Sequence, residues 1–244
     1  MQISAYIDGY NLYHAVDDLC IQRNIEGQII ARYDKHFLKW LDIRKLVLRY
    51  IKPDQGQELV DIYYFSAFAT HISESKVKRH KSYIAALKQR NIHFIEGQFK
   101  YVGMKWVKRE DGTFILRESY EEKESDVNLA IAIVRDAILK IVDKAIIITN
   151  DSDIAPAIRM AKQLNPLWKA TVITPPLGVG RTVNHGLLEA AQQLKTNRSG
   201  QVFRESKILS EATLMECQFP DQIITSDGSV IKRPTKYKIP AEYV

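Results

Sequence analysis

Four aspartates stand where chemistry is expected: Asp8, Asp126, Asp151 and Asp153. Asp8 follows the apolar run at residues 3–7. Asp151 and Asp153 follow the apolar run at 144–149, and Asp126 opens the helical segment that leads into that run. Where parallel strands alternate with helices, strand ends and helix starts share one edge of the sheet, and ligands sit beyond that edge. Three distant segments therefore deliver four carboxylates to one rim. Crowded carboxylates repel one another, and one must take up a proton unless a cation lies between them. Oxygen-only ligands without His or Cys favour Mg²⁺ or Mn²⁺ over zinc. Such ions activate water and stabilise charge during phosphodiester hydrolysis. Singly, each aspartate also has a structural use: Asp126 and Asp153 suit the first turn of a helix, and Asp8 suits a turn. Asn11 is expected either to orient a ligand or water beside Asp8 or to cap the helix that follows.

Alternating elements must position these groups. Apolar runs predict strands over residues 3–7, 59–65, 92–95, 144–149 and 170–174. Helical spacing predicts helices from residue 12, over 43–51 behind the cap Asp42, over 73–90 with Val77, Ile84 and Leu87 inward, from the cap Ser125 onward, up to Leu164, and over 183–194. Residues 98–107 and 113–120 flank Glu110-Asp111-Gly112 as a hairpin. Residues 24–40 read as an insertion and 196–200 as a linker. The expected fold class is α/β, with helices on both faces of a mainly parallel five-stranded sheet, plus a β-hairpin insertion and a C-terminal tail. The expected division is a domain over 1–195 and an extension over 196–244.

The chain of 244 residues is 45% hydrophobic and carries a net charge of +6, ordinary for a water-soluble globular protein. Its charge is unevenly placed. Residues 76–109 hold ten Lys or Arg against the single acid Glu96, whereas 110–126 hold seven acids against Arg117 and Lys123. A basic stretch beside an acidic one suits a polyanion gripped by one surface while its phosphate meets a metal at another. Lys100, Lys105 and Lys108 alternate with Phe99, Tyr101 and Trp106, a pattern that grips and stacks single-stranded nucleic acid, with Trp106 the better stacking candidate. Solvated Lys and Arg on a helix and hairpin give the same composition. Lys123 suits either a phosphate contact or a salt bridge to Glu121 or Glu122. Arg181, after Gly178-Val179-Gly180, suits a backbone phosphate or an ordinary connection. Cys20 and Cys217 form no CxxC pair, so neither a disulfide framework nor a zinc knuckle is expected. The first residues do not read as a signal peptide and no run spans a bilayer, so a cytoplasmic location is expected.

Three motifs carry a family resemblance. Ala5-Tyr6-Ile7-Asp8-Gly9-Tyr10-Asn11-Leu12 resembles the opening strand of NYN domains, in the PIN-like nuclease superfamily. Tyr120-Glu121-Glu122-Lys123-Glu124-Ser125-Asp126-Val127-Asn128-Leu129-Ala130 resembles the second motif, and Ile146-Ile147-Ile148-Thr149-Asn150-Asp151-Ser152-Asp153-Ile154 the third. The resemblance covers roughly residues 1–195. It implies a three-layer sandwich around a parallel five-stranded sheet, and Mg²⁺- or Mn²⁺-dependent cleavage of RNA leaving 5′-phosphate and 3′-hydroxyl ends. It implies Asp8, Asp126 and Asp151 as metal ligands, Asp153 as a ligand of a second ion or a holder of bound water, and Asn11 as a support for Asp8 or the water. Many relatives carry a further acid one turn into the second-motif helix. This chain has Ala130 and Ala132 there, with Glu122 and Glu124 the nearest substitutes. Two other functions remain open at this level: a non-catalytic RNA-binding module, and a phosphohydrolase of small nucleotides. Homodimerisation is also left open.

Overall fold

The structure is a computed structural model and describes residues 1–24, 28–109, 112–196 and 202–243. Five strands form one sheet: β1 (Gln2–Asp8), β2 (Glu58–Ser66), β3 (His93–Glu96), β6 (Lys144–Ile148) and β7 (Lys169–Ile173). Their spatial order is β3-β2-β1-β6-β7 and every pairing is parallel. Both faces are covered, which is why β1, β6 and β7 read as near-continuous apolar runs. Between β3 and β6, β4 (Gln98–Lys108) and β5 (Phe114–Lys123) form a separate antiparallel hairpin.

Alternation along β1 divides the core. Ile3, Ala5 and Ile7 face a layer containing α1 (Gly9–Asp18), α2 (Ile43–Leu48) and α3 (Glu74–Lys88). Tyr6 faces the opposite layer, built from α4 (Ser125–Ile138), α5 (Ala155–Leu164) and α6 (His185–Ala191). Late residues enter the first layer: Leu209, Leu214 of α7 (Glu211–Glu216), Phe219 and Tyr237 are buried against it. The Trp40 indole donates to Pro220 O at 2.9 Å, and Phe219 N donates to Trp40 O at 2.9 Å. The stretch read as an insertion thus supplies Phe37, Leu38 and Trp40 to the core through the short 3-10 turn His36–Lys39 and the residue after it.

The hairpin runs farther than its periodicity predicts. Lys123 pairs with Gln98 and Glu122 with Phe99, so the second arm reaches the start of α4. Cross-strand pairing holds these charged residues extended although they show no apolar alternation. Of the expected turn, Glu110 and Asp111 lie outside the described residues, as do 197–200 of the expected linker; residues 194–196 pair with 202–204. The last predicted helix is shorter, because Asn184 caps α6 and Gln192 turns left-handed at its end. Val77 does not join Ile84 and Leu87 in the buried core; it is half-buried and lines a cavity.

Candidate active site

The chain builds outward from β1 in two directions, to β2 and β3 on one side and to β6 and β7 on the other. The carboxyl ends of β1 and β6 are therefore a topological switch point, where open α/β sheets leave a crevice. Asp8 ends β1 there and caps α1: its Oδ1 accepts from Asn11 N at 2.9 Å. Its Oδ2 accepts from the buried Thr149 hydroxyl at 2.8 Å. Asp8 is only 3% exposed. Burial pushes its carboxyl up to about 7, and the charges of Asp126 and Asp151 add to the shift against the two hydrogen bonds.

Beyond β6, the Thr149 oxygen accepts from Asp151 N at 3.0 Å, and Asp151 Oδ1 accepts from Asp153 N at 2.9 Å. Asn11 Oδ1 accepts from Asn150 N at 3.0 Å, so this side chain fastens the β6 loop to α1 and leaves the capping of α1 to Asp8. Asn150 in turn donates to Thr182 O at 3.0 Å and accepts from Asn184 N at 2.8 Å. One polar chain thus links the loops after β1, β6 and β7.

The second-motif segment forms the opposite wall. Glu124, not Ser125, occupies the cap position of α4, with φ of 77°, a left-handed conformation uncommon for a residue with a Cβ. Gln98 donates to its carboxylate. The Ser125 hydroxyl donates to Glu122 Oε1 at 2.5 Å instead of capping the helix. Gly97 makes this possible, since a Cβ there would lie 2.5 Å from Ser125 Oγ and 2.8 Å from Lys123 O. Burial pushes the Glu122 carboxyl up to about 7, with Asp8 and Asp126 adding to the rise. Partial desolvation, followed by the charges of Asp151 and Asp153, raises that of Asp126.

Asp8, Asn11, Glu122, Glu124, Asp126 and Asp151 line one cleft of about 350 Å³. Asp153 stands outside its lining but acts on Asp126 through its charge. Among the described residues, no three of these carboxylates bring ligand oxygens within 4.8 Å of one another. Glu122 and Glu124, the acids nearest to the motif positions held by Ala130 and Ala132, both line the cleft, and Glu122 is the one with a raised carboxyl. Its place in the cleft follows from the hairpin register, which sequence periodicity did not reveal.

Of the expected nucleic-acid contacts, Lys123 alone lines this cleft, and its ammonium is 2.9 Å from Glu121. Lys105 also approaches Glu121, at 3.6 Å. Lys100, Lys105, Trp106 and Lys108 are carried on β4, with Trp106 69% exposed. Arg181 Nε lies 2.8 Å from Asp18 Oδ2, at the end of α1. A separate group, Asp17, Cys20 and His36, does fall within 4.8 Å of mutual contact. The buried Lys39 ammonium already sits 2.5 Å from Asp17, so a cation there must displace another cation.

A parallel sheet with helices on both faces and an acidic crevice at its switch point defines an α/β sandwich. The NYN domain model matches residues 2–175, and the chain belongs to that family, within the PIN-like nuclease fold. It is 29% identical over 263 aligned positions to the 6-hydroxy-3-succinoylpyridine 3-monooxygenase of Pseudomonas putida (strain DSM 28022 / S16), with 96% of this chain and 75% of the relative covered. The crystal structure of a protein of unknown function from Vibrio parahaemolyticus RIMD 2210633 is similar at a TM-score of 0.47 and 14% identity, covering 86% of this chain and 93% of that one. Among the described residues, no helix is long and apolar enough to cross a membrane.

Proposed function

We propose that the cleft hydrolyses RNA phosphodiester bonds with Mg²⁺ or Mn²⁺. The observation that carries this reading is the convergence of Asp8, Asp126, Asp151 and Glu122 on one cleft, with Asp8 buried and protonated more readily than an ordinary aspartate. The donor set fits the ion: all ligating atoms are oxygens and they come from separate segments that line one cleft. Asp8, Asp126 and Asp151 would hold it, and the bound ion would activate water and neutralise charge on the phosphate. Thr149 orients Asp8, and Asn11 holds the loop bearing Asp151. Glu122, its carboxyl raised to about 7, can accept or return a proton. Lys100, Lys105 and Lys108 would neutralise phosphates along the hairpin.

The test is cleavage of labelled RNA by purified protein with Mg²⁺ or Mn²⁺. Wild type should cleave and Asp151→Asn should lose at least a hundredfold in rate. Equal degradation by the two would assign the activity to a contaminant. Salt-sensitive RNA binding without cleavage would instead favour a binding module of the same fold.

A second reading follows from the Pseudomonas relative, which is named as a monooxygenase of a substituted pyridine and whose likeness covers 96% of this chain. Under it the same fold would act on a small heteroaromatic acid. Incubation with 6-hydroxy-3-succinoylpyridine, a reduced nicotinamide cofactor and oxygen, followed by mass spectrometry, separates the two readings.

A further inference from the structure

Beside the acidic cleft lies a second cavity of about 330 Å³, large enough for a small molecule. Rings from several segments wall it, among them Tyr10 and Tyr13 on α1, Tyr83 on α3, Phe99 on β4 and Tyr120 on β5. His71 stacks on Tyr120, with ring centroids 4.0 Å apart and an interplanar angle of 9°. Tyr10 meets Phe99 at 6.3 Å. Tyr10 and Tyr120 line both cavities, so they form the partition between this cavity and the carboxylates.

The cavity is not merely apolar. Lys76 and Arg79 stand one turn apart on α3 and both line it. Neither is in an ion pair with a carboxylate among the described residues, although Arg79 has the Tyr237 hydroxyl beside it. His80, also in the lining, is held neutral by burial, its value lowered to about 4. Aromatic walls bind flat rings, cations at the wall bind an anion, and a neutral imidazole can donate to or accept from a ring nitrogen.

We propose that this cavity binds a planar nitrogen heteroaromatic ring bearing an anionic group, the ring between the aromatic walls and the anion toward Lys76 and Arg79. Ring binding goes beyond the hydrolase reading, because it requires neither metal nor turnover. Two ligands share the chemistry: a nucleotide, whose base would enter the cavity while a neighbouring phosphate meets the acidic cleft, and a free heteroaromatic acid.

Titration calorimetry in EDTA tests this with adenosine and uridine monophosphates in one arm and 3-succinoylpyridine in the other. At least one arm should show saturable binding. Val77→Trp, which fills the cavity from α3, should weaken it at least tenfold. The double variant Lys76→Ala with Arg79→Ala should weaken the anionic ligand more than its uncharged analogue. Melting by circular dichroism checks that each variant is folded. Binding in the nucleotide arm alone supports a base subsite, and binding in the acid arm alone supports a small-molecule site. No saturable binding in either arm overturns the proposal, as does binding that a folded Val77→Trp leaves unchanged. RNA cleavage is not read in this experiment, so its outcome is independent of the hydrolase reading.

Discussion

The Thr149 hydroxyl donates to Asp8 Oδ2 at 2.8 Å, joining the end of β6 to the end of β1. The same oxygen accepts from Asp151 N at 3.0 Å, so one side chain sets the spacing of two acids 143 positions apart in sequence only through the fold. Thr149 has no ionisable group, and its importance lies in what it positions.

Thr149→Val keeps the branched shape and removes the hydroxyl. It should cost about 1.5–3 kcal/mol above pH 7, where an ionised Asp8 loses a charge-assisted hydrogen bond. Thr149→Ser should stay within about 1 kcal/mol of wild type. Urea denaturation of both variants checks the difference; equal stability would show that the hydroxyl does not hold Asp8.

The protonation of Asp8 makes metal-free stability depend on pH. Its folded-state value is about 7 against an ordinary 3.8, so the folded protein holds the proton more tightly than the unfolded chain. The associated stability is complete below about pH 4 and is lost as pH rises through 7, by at most on the order of 4 kcal/mol. Glu122, raised to about 7 from 4.5, works in the same direction. In EDTA the protein should melt at a lower temperature at pH 8 than at pH 6. Asp8→Asn should flatten this dependence, and Mg²⁺ should restore stability to wild type at pH 8. A profile that rises with pH would contradict the assignment.

Gly9 is required by contact and not by a left-handed turn. A Cβ there would lie 2.4 Å from the Tyr64 ring and 2.7 Å from Phe65 O. Gly9→Ala should therefore destabilise by about 1–3 kcal/mol, although alanine favours an open helix site by about 1 kcal/mol. Thermal melting decides the sign.

Asn11→Ala removes the acceptor for Asn150 N and should cost about 1–3 kcal/mol. The loss should be concentrated in the loop after β6, seen as faster amide exchange at residues 150–154 than elsewhere. Uniform exchange would place the coupling somewhere other than this hydrogen bond.

The sheet was legible because buried parallel strands must be apolar throughout, as residues 145–148 are, and because the aspartates follow such runs directly. The reach of β5 was not, since Glu121, Glu122 and Lys123 are held extended by their partners on β4, leaving no alternation to read. The aromatic cavity was equally hidden: Tyr10, Tyr83 and Tyr120 are far apart in sequence and meet only through packing. Ser125 has the composition of a helix cap, yet the approach of Gly97 lets it turn to Glu122. Local pattern identifies elements and their ends; contacts between distant segments set the site.

The most direct test of the metal-dependent account is anomalous scattering from crystals soaked in Mn²⁺. The account predicts manganese between Asp8, Asp126 and Asp151, absent in crystals of Asp8→Asn. Manganese confined to Asp17, Cys20 and His36, or a cleft without any in fully soaked wild-type crystals, would contradict it.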